Sequence, residues 1–257
     1  MRKVLAFDVD QTLNIAKTPI PPEMAELLKE CAHHFELCPI SGQKFEQFIV
    51  QIVEPMLAVG AGAEEFKHMH FFVAQGTQYY IFDETINDWK QVYNYPLSPE
   101  SVVKITTALE QAARELGYWE GDKLAEDDEI IEDRKSQVTF SALGQKGGTS
   151  EKYDWDAGHA KRNAIAKRAK ELAPEFDYEV AGTTSINVFM PGMNKTFGMK
   201  KLFEYLKVEM DDVLYFGDMT QPGGNDYPVV QMGVDTITVR SHEDTLYALR
   251  GILEVIK

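Results

Sequence analysis

Cysteine is scarce in this chain of 257 residues, and basic residues are outnumbered by acidic ones. The two cysteines, Cys31 and Cys38, can form at most one bridge and lack the CxxC spacing, so we expect free thiols in a reducing compartment. Lys and Arg number 26 against 41 Asp and Glu, which gives a formal net charge of −15. This balance argues against nucleic acid and anionic membranes as partners, although one divalent cation can make a site attractive to a small anion.

Long hydrophobic runs are also absent. No stretch approaches the ~18 apolar residues of a membrane span, and Asp8 interrupts the first apolar run too early for a signal peptide. Hydrophobic residues make up 44% and charged residues 26%, which is typical of a folded protein, and we see no repeat or low-complexity tract. We therefore expect a cytoplasmic protein with one large domain or two modest ones.

Strand and helix patterns alternate near both ends of the chain. Short apolar runs predict buried strands at Val4–Val9, Phe35–Ile40, Val213–Phe216 and Thr236–Arg240. Helical patterns lie at 22–30, 44–53, 195–206 and 241–256, and residues 70–82 predict a hairpin. This alternation is typical of an α/β protein with one doubly wound, Rossmann-like parallel sheet.

The middle of the chain has a different order of elements. It predicts a helix capped by Ser98, two strands within 129–143, a charged helix over 154–172 and a strand over 178–189 that breaks at Gly182. This is an α+β pattern rather than strict alternation. We therefore predict a core made of residues 1–83 and 190–257, with an inserted α+β domain over residues 84–189.

Two aspartates end the first predicted strand, in the segment Asp8-Val9-Asp10-Gln11-Thr12. The carboxyl ends of strands are where doubly wound sheets bind ligands. Aspartate is the nucleophile in enzymes that form an aspartyl-phosphate, and a second aspartate two residues later can act as general acid and base. A solvated turn explains the same residues, so this motif alone leaves both interpretations open.

A second acidic cluster follows the run Val213–Phe216, and it reads GDMTQPGGND over residues 217–226. Asp8 and Asp218 offer carboxylate oxygens of the kind that Mg²⁺ prefers. Asp10, Asn225 and Asp226 are further candidates for the metal site, as ligands or as groups that orient them. The alternative is an ordinary loop of turn residues, but two acidic clusters in one chain favour a metal site.

Two further segments offer groups suited to a phosphate. Ser41 and Gly42 close the second predicted strand with a hydroxyl and a backbone N–H, and Lys195 opens a predicted helix. Taken alone, Ser41 is explained as a helix cap and Lys195 as a surface lysine. Beside the two acidic clusters they become candidate phosphate ligands.

These motifs together resemble the haloacid dehalogenase superfamily. DVDQT at 8–12, Ser41, Lys195 and residues 217–226 stand in the order of its four motifs. Within subfamily IIB the chain is similar to eukaryotic-type phosphomannomutases, whose cap domain is inserted between the second and third motifs. GDMTQPGGND is the most specific match, and the segments TSINVF and NKTF follow the same branch. The resemblance spans nearly the whole chain and is looser in the cap.

The resemblance implies a role for each candidate residue. Asp8 would be the nucleophile, Asp10 the general acid and base, and Lys195 would complete the catalytic set. Mg²⁺ would be bound by Asp8, the Asp10 carbonyl and Asp218. The implied phosphate- and substrate-binding residues are Thr12, Ser41, Gly42, Arg134, Ser185 and Asn187.

Several departures from the family bear on the substrate. Family caps carry arginines that bind the distal phosphate of the substrate, and Arg134 matches one of them. Gln145 stands where a second is expected, the acidic segment 126–129 stands where a third falls, and Asn187 replaces an aspartate. Fewer bidentate guanidinium groups hold a bisphosphorylated intermediate less firmly. Gln11 is a lesser departure, since glycine is usual there.

We therefore expect an Mg²⁺-dependent phosphoryl-transfer enzyme that acts on a sugar phosphate or similar phosphomonoester through an aspartyl-phosphate. The missing arginines favour a phosphatase. The overall resemblance favours the alternative, a phosphomannomutase, which interconverts mannose 6-phosphate and mannose 1-phosphate. A non-catalytic phospho-ligand binding protein on the same fold is the alternative of another class. The expected partner is a small phosphorylated substrate, without nucleic acid or membrane, and we allow for a homodimer through the cap.

Overall fold

The computed structural model describes residues 3–15, 17–126, 128–145 and 149–256, which divide into two units. The chain up to Asn94 and from Asn194 onward forms one unit, here called the core unit. Tyr95–Met193 forms the other, here called the cap unit. None of the helices in the described ranges combines the length and the apolar character that crossing a lipid bilayer demands.

The elements are numbered in chain order. The strands are β1 (Val4–Phe7), β2 (Glu36–Pro39), β3 (His70–Val73), β4 (Gln78–Asp83), β5 (Asp88–Asn94), β6 (Ile131–Asp133), β7 (Val138–Ser141), β8 (Asp177–Ala181), β9 (Ser185–Phe189), β10 (Val213–Gly217) and β11 (Thr236–Thr238). The α-helices are α1 (Pro22–Cys31), α2 (Phe45–Phe48), α3 (Glu54–Ala58), α4 (Ala63–Phe66), α5 (Pro99–Glu115), α6 (Thr149–Trp155), α7 (Ala160–Leu172), α8 (Lys195–Leu206), α9 (Tyr227–Gln231) and α10 (His242–Ile256). A π-helical turn, Ile49–Val53, joins α2 to α3.

The centre of the core unit is a parallel sheet in the order β11-β10-β1-β2. All four residues of β1 are buried, which explains why its sequence is a continuous apolar run. An antiparallel sheet, β3-β4-β5, adjoins β2 through isolated bridges at Leu37–Met69 and Ile40–Phe72. The α/β class with a parallel sheet is therefore confirmed.

Helices cover both faces of the parallel sheet. Leu5 and Phe7 pack in one apolar cluster with residues of α1 and α10, whereas Val4 and Ala6 pack in another with residues of α8 and α9. Alternate residues of one strand point to opposite faces, so β1 contributes to both clusters. The core unit is doubly wound, as the sequence predicts.

The cap unit is an antiparallel sheet in the order β6-β7-β9-β8 with helices on one face. Val138, Phe140, Ile186 and Val188 pack in one cluster with apolar residues of α5 and α7. Thr139 pairs with Asn187 and Ser141 with Ser185 on the alternate positions. The other face of this sheet is therefore polar.

The structure differs from the sequence-based expectation in several elements. The predicted helix over 154–172 is two helices, α6 and α7, because His159 takes a left-handed conformation with φ of 60° next to Gly158. Strand β5 was not expected, since its residues are largely exposed and its sequence lacks alternation. Because β5 pairs with β4, residues 84–94 group with the core unit rather than with the insertion. The other end of the cap unit lies at Met193 rather than at residue 189.

Candidate functional site

The candidate residues of the core unit gather at the carboxyl edge of the parallel sheet. Phe7, the last residue of β1, lies opposite Phe216 of β10 and Pro39 of β2. The Asp8 N–H donates to the Phe216 carbonyl at 2.8 Å, and the Ile40 N–H donates to the Phe7 carbonyl at 2.7 Å. The loops after β1, β2 and β10 therefore start side by side, which brings the segments of Asp8, Ser41 and Asp218 to one edge.

Three carboxylates and one ammonium group form the centre of the site. One oxygen each from Asp8, Asp218 and Asp226 lies within 4.8 Å of the others. Lys195 is fully buried, and its Nζ lies 2.5 Å from Asp8 Oδ1 and 2.5 Å from Asp226 Oδ1. A buried charge is stable only when it is paired, and Lys195 pairs with two acids at once.

Asp226 is held by donors from its own loop and strand. Its Oδ1 also accepts a hydrogen bond from the Tyr215 hydroxyl at 2.6 Å, and its Oδ2 accepts one from the Met219 N–H at 3.0 Å. Two glycines permit this folded-back loop. A Cβ on Gly217 would lie 2.6 Å from Asp226 Oδ2, and a Cβ on Gly224 would lie 2.0 Å from the Met219 carbonyl oxygen. The glycines of the GDMTQPGGND segment therefore make room for the acid that ends it.

Helix α8 delivers Lys195 as its first residue. The Asn194 side chain caps this helix by accepting from the Thr196 N–H at 3.0 Å. Tyr215, which sequence reasoning treated only as part of an apolar strand, lies in the site, with its hydroxyl 3.3 Å from Lys195 Nζ. A tyrosine in an apolar run gave no signal of this role, because tyrosine is also a common strand residue.

Burial and the neighbouring carboxylates shift the pKa values of Asp8 and Asp218. Burial raises the pKa of Asp8 well above its usual range; Lys195 opposes this, and Asp226 and Asp218 add to it. Burial, with Asp226 nearby, raises the pKa of Asp218 to about 6. Burial alone would lower the pKa of Lys195, but Asp226 and Asp8 outweigh it and raise that pKa. Three carboxylates and one ammonium leave a net charge of −2, which a divalent cation would balance.

The donor set of the cluster fits a hard cation. It consists of carboxylate oxygens, and the Asn225 loop adds an amide oxygen, Oδ1, that is buried without a hydrogen-bond partner among the described residues. Oxygen-only sites of this kind suit hard divalent cations rather than zinc or copper. The cluster of Asp8, Asp218 and Asp226 can therefore bind a metal ion.

The remaining core candidates lie in the loops after β1 and β2. Asp10 is half-buried, and its Oδ1 accepts from the Lys17 N–H at 2.8 Å, so its side chain is not one of the three clustered carboxylates. Thr12 is fully buried, and its hydroxyl has no partner among the described residues. Ser41, followed by half-buried Gly42, is buried, and its Oγ accepts from the Gln43 N–H at 3.3 Å. Gln11 has φ of 67°, a conformation that explains why glycine is usual there.

The candidate substrate residues of the cap unit lie on or beside the polar face of its sheet. Arg134 Nε donates to Glu132 Oε2 at 2.7 Å in an ion pair that is buried on both sides. Asn187 Oδ1 accepts from Gln137 Nε2 at 2.9 Å and from Thr139 Oγ1 at 3.0 Å.

The rest of this polar face is also hydrogen-bonded. The hydroxyls of Ser141 and Ser185 are 3.2 Å apart. Gln145, where the resemblance leads us to expect an arginine, donates from Nε2 to Ser141 Oγ at 3.1 Å. Of the acidic segment 126–129, Asp128 accepts from the Gln145 N–H at 2.8 Å, and Asp127 lies outside the described residues.

Comparison with known proteins agrees with these features. The sequence model described as "Eukaryotic phosphomannomutase" matches residues 123–255. The chain is 25% identical over 262 residues to a probable phosphomannomutase of Caenorhabditis elegans, covering 98% of this chain and 96% of that protein.

Solved structures share the fold. An N-terminally truncated IMP-nucleotidase of Plasmodium falciparum matches with a TM-score of 0.69 and 15% identity, over 98% of this chain and 70% of that one. A haloacid dehalogenase-like hydrolase from Bacteroides thetaiotaomicron matches with a TM-score of 0.61 and 15% identity, over 98% of this chain and all of that one. The family match spans more than half of the sequence, and the fold is that of haloacid dehalogenase-like hydrolases. The chain belongs to the eukaryotic phosphomannomutase family of phosphoryl-transfer enzymes.

Proposed function

We propose that this protein is an Mg²⁺-dependent phosphatase that transfers the phosphoryl group of a sugar phosphate, or a similar phosphomonoester, first to Asp8 and then to water. The observation that carries the proposal is the buried cluster in which Lys195 lies 2.5 Å from Asp8, with Asp218 and Asp226 close by. A pure binding protein has no need of a carboxylate held in this way at the end of β1, so the cluster favours catalysis.

The reaction proceeds in two balanced displacements. An oxygen of Asp8 attacks phosphorus, the bond from phosphorus to the leaving oxygen breaks, and Asp10 gives that oxygen a proton. Water then attacks phosphorus, gives a proton to Asp10, and breaks the bond between phosphorus and Asp8. Inorganic phosphate leaves, and both aspartates return to their starting state.

The other residues position charge around the transferring group. Lys195 offsets the negative charge of the phosphoryl oxygens, and Asp226 and Tyr215 fix the Lys195 ammonium group. Thr12 and Ser41 offer hydroxyls at the same edge of the sheet. Asp8, Asp218, the Asp10 carbonyl and the Asn225 loop would hold Mg²⁺, which supplies charge neutralisation for the phosphoryl group when bound.

Two cap features favour hydrolysis over isomerisation. Arg134 is paired with Glu132 in a buried ion pair, and Gln145 contributes an amide where the family has an arginine. A mutase must hold a bisphosphorylated intermediate while it turns around, and that intermediate needs guanidinium groups that are available to it. Phosphomannomutase activity is the second candidate, and membership of that family favours it.

The proposal is tested by assaying sugar phosphates for phosphate release and isomer formation in parallel, with Mg²⁺ or EDTA and with a hexose bisphosphate activator. We expect phosphate release that EDTA abolishes. Asp8→Asn should remove turnover, and Asp88→Asn, at an exposed position, should not. Trapping of the phosphoryl mimic beryllium fluoride on any side chain other than Asp8 would contradict the proposed nucleophile, and full activity in EDTA would contradict the metal.

A further inference from the structure

Gln43 has a buried carboxamide without a hydrogen-bond partner among the described residues. The residue is 4% exposed, and neither Oε1 nor Nε2 is paired within the described ranges. Burial removes water from two N–H donors and one acceptor oxygen, so buried amides are normally paired within the protein. An unpaired carboxamide in a buried loop therefore indicates a partner that arrives with a ligand.

The loop after β2 fixes Gln43 at the edge of the sheet where the carboxylates gather. The Gln43 N–H donates to Ser41 Oγ at 3.3 Å, and its carbonyl accepts from the Ala74 N–H at 3.1 Å. The same loop starts beside Phe7, the residue before Asp8, through the hydrogen bond of Ile40. The backbone of Gln43 is thus held on both sides, whereas its side chain has no hydrogen-bond partner in the part of the chain that the structure describes.

Unpaired polar atoms recur in the two neighbouring loops. Thr12 Oγ1, in the loop after β1, and Asn225 Oδ1, in the loop after β10, are also buried without partners in the described part of the chain. The strands β10, β1 and β2 are adjacent, so three loops at one edge each carry such an atom. Thr12 Oγ1 and Gln43 Nε2 can both donate to the oxygens of one anionic ligand at this edge, whereas Asn225 Oδ1 can only accept and fits the cation.

We infer that Gln43 is a substrate-binding residue whose Nε2 donates a hydrogen bond to an oxygen of the transferring phosphoryl group. A phosphate dianion offers acceptor oxygens and no donors, so it meets the amide through Nε2 rather than through Oε1. The amide adds a donor from the β2 side without adding charge to a site whose charge is already set by Lys195 and the acids. The identity of the ligand rests on the proposed function, but the role of Gln43 as a phosphate donor can be measured without turnover.

The experiment measures the binding of inorganic phosphate by calorimetry in the presence of Mg²⁺, together with kcat/KM for p-nitrophenyl phosphate. Gln43→Met keeps the approximate shape and removes the donors, and it should weaken phosphate binding and lower kcat/KM by about tenfold to a hundredfold. Gln43→Glu replaces the donor by a negative charge and should weaken binding at least as much. Because no protein hydrogen bond is lost, Gln43→Met should not lower the thermal midpoint.

Gln51→Met is the matched control for stability. Gln51 is also a buried glutamine, but its Oε1 accepts from Asn14 Nδ2 at 3.0 Å, so its removal should lower the thermal midpoint. If Gln43→Met lowers the midpoint in the same way and leaves phosphate binding unchanged, Gln43 is structural and the inference is wrong. Failure of the wild-type protein to bind phosphate would overturn it as well. Phosphate binding by a wild-type protein without turnover would instead contradict the proposed function and leave the Gln43 measurement valid.

Discussion

Lys195 is the residue on which the charge balance of the site depends. It is fully buried and lies 2.5 Å from both Asp8 and Asp226. Lys195→Met would leave two buried carboxylates without their counter-charge, and we expect the free energy of unfolding to fall by about 3–5 kcal/mol. Urea denaturation of the metal-free protein measures this loss.

Lys200→Met is the control for the lysine substitution, since Lys200 is exposed on the same helix and should change stability by less than about 0.5 kcal/mol. Adding Asp226→Asn to Lys195→Met should recover part of the loss, because it removes one of the unpaired charges. Equal stabilities of Lys195→Met and Lys200→Met would contradict the ion-pair interpretation.

Asp218 gives the site a pH dependence whose sign can be worked out. Its pKa is raised from 3.8 to about 6, chiefly by burial, so the folded protein holds this proton where the unfolded chain has lost it. The contribution of Asp218 to stability therefore decreases as the pH rises from about 4 to 6, and Asp218→Asn should remove this part of the pH dependence of stability. A divalent cation competes with the proton, so the increase in thermal midpoint on adding MgCl₂ should be larger at pH 7.5 than at pH 5. An increase that is equal at both values would contradict the metal role of Asp218.

At the scale of single residues, sequence patterns identified charged side chains at the ends of predicted strands and helices. Asp8, Asp218 and Lys195 stood at the ends of predicted elements, and the structure brings them together. Tyr215 and Gln43 were not identified, because a tyrosine in a strand and a glutamine in a loop are ordinary. The ion pair between Arg134 and Glu132 was not predicted either, because an acidic and a basic residue two positions apart do not indicate that both side chains are buried.

At the scale of elements, the start of α7 shows what a helical pattern cannot reveal. Asp156 begins the break before this helix and accepts from the Lys161 and Arg162 N–H groups, each at 3.0 Å, and from Arg162 Nε at 2.9 Å. Arg162 also donates to the carbonyls of Ala181 and Gly182, which links α7 to the turn between β8 and β9. A charged segment with helical spacing on both sides of Gly158 predicts one helix. The left-handed His159 and the contacts of Asp156 and Arg162 around it accompany the division into two.

We expect Asp156→Asn to lower the free energy of unfolding of the cap unit by about 3–5 kcal/mol, because it leaves a buried guanidinium without its counter-charge. Glu115→Gln is the matched comparison, since it breaks the exposed pair between Glu115 and Arg168 and should cost less than about 1 kcal/mol. Thermal unfolding of both variants measures the difference. A similar small cost for the two would show that the Asp156 pair contributes no more than a surface pair.

At the scale of the whole molecule, the two units carry different parts of the chemistry. The core unit holds the clustered carboxylates and Lys195, to which we assign the reaction at phosphorus. On or beside the polar sheet face of the cap unit lie Arg134 and Gln145, which we propose bear on the choice between hydrolysis and isomerisation. The net charge of −15 fits this division, because a small anionic substrate needs only local positive charge.

The cap therefore offers a way to move the chain between two reactions. Glu132→Gln weakens the ion pair that holds Arg134, and Gln145→Arg introduces a guanidinium at the position where the resemblance leads us to expect one. Together they remove one negative charge and add one positive charge, so they should strengthen binding of a bisphosphorylated intermediate. With mannose 6-phosphate and a bisphosphate activator, we expect the ratio of isomer formed to phosphate released to rise by about tenfold or more, the effect of one charge-assisted hydrogen bond.

Turnover of p-nitrophenyl phosphate serves as the internal control, since this substrate has no second anionic group and its hydrolysis should change little in the double variant. Arg134→Ala should have the opposite effect, because it should weaken the binding of substrates that carry an anionic group away from the reacting phosphorus. Equal losses of kcat/KM for both kinds of substrate would show that Arg134 has a structural role, which its buried ion pair with Glu132 allows. Robust interconversion of mannose 6-phosphate and mannose 1-phosphate by the wild-type protein would show that hydrogen-bonded amides and hydroxyls on this face suffice for the mutase reaction. The family's own activity would then replace hydrolysis as the function of this chain.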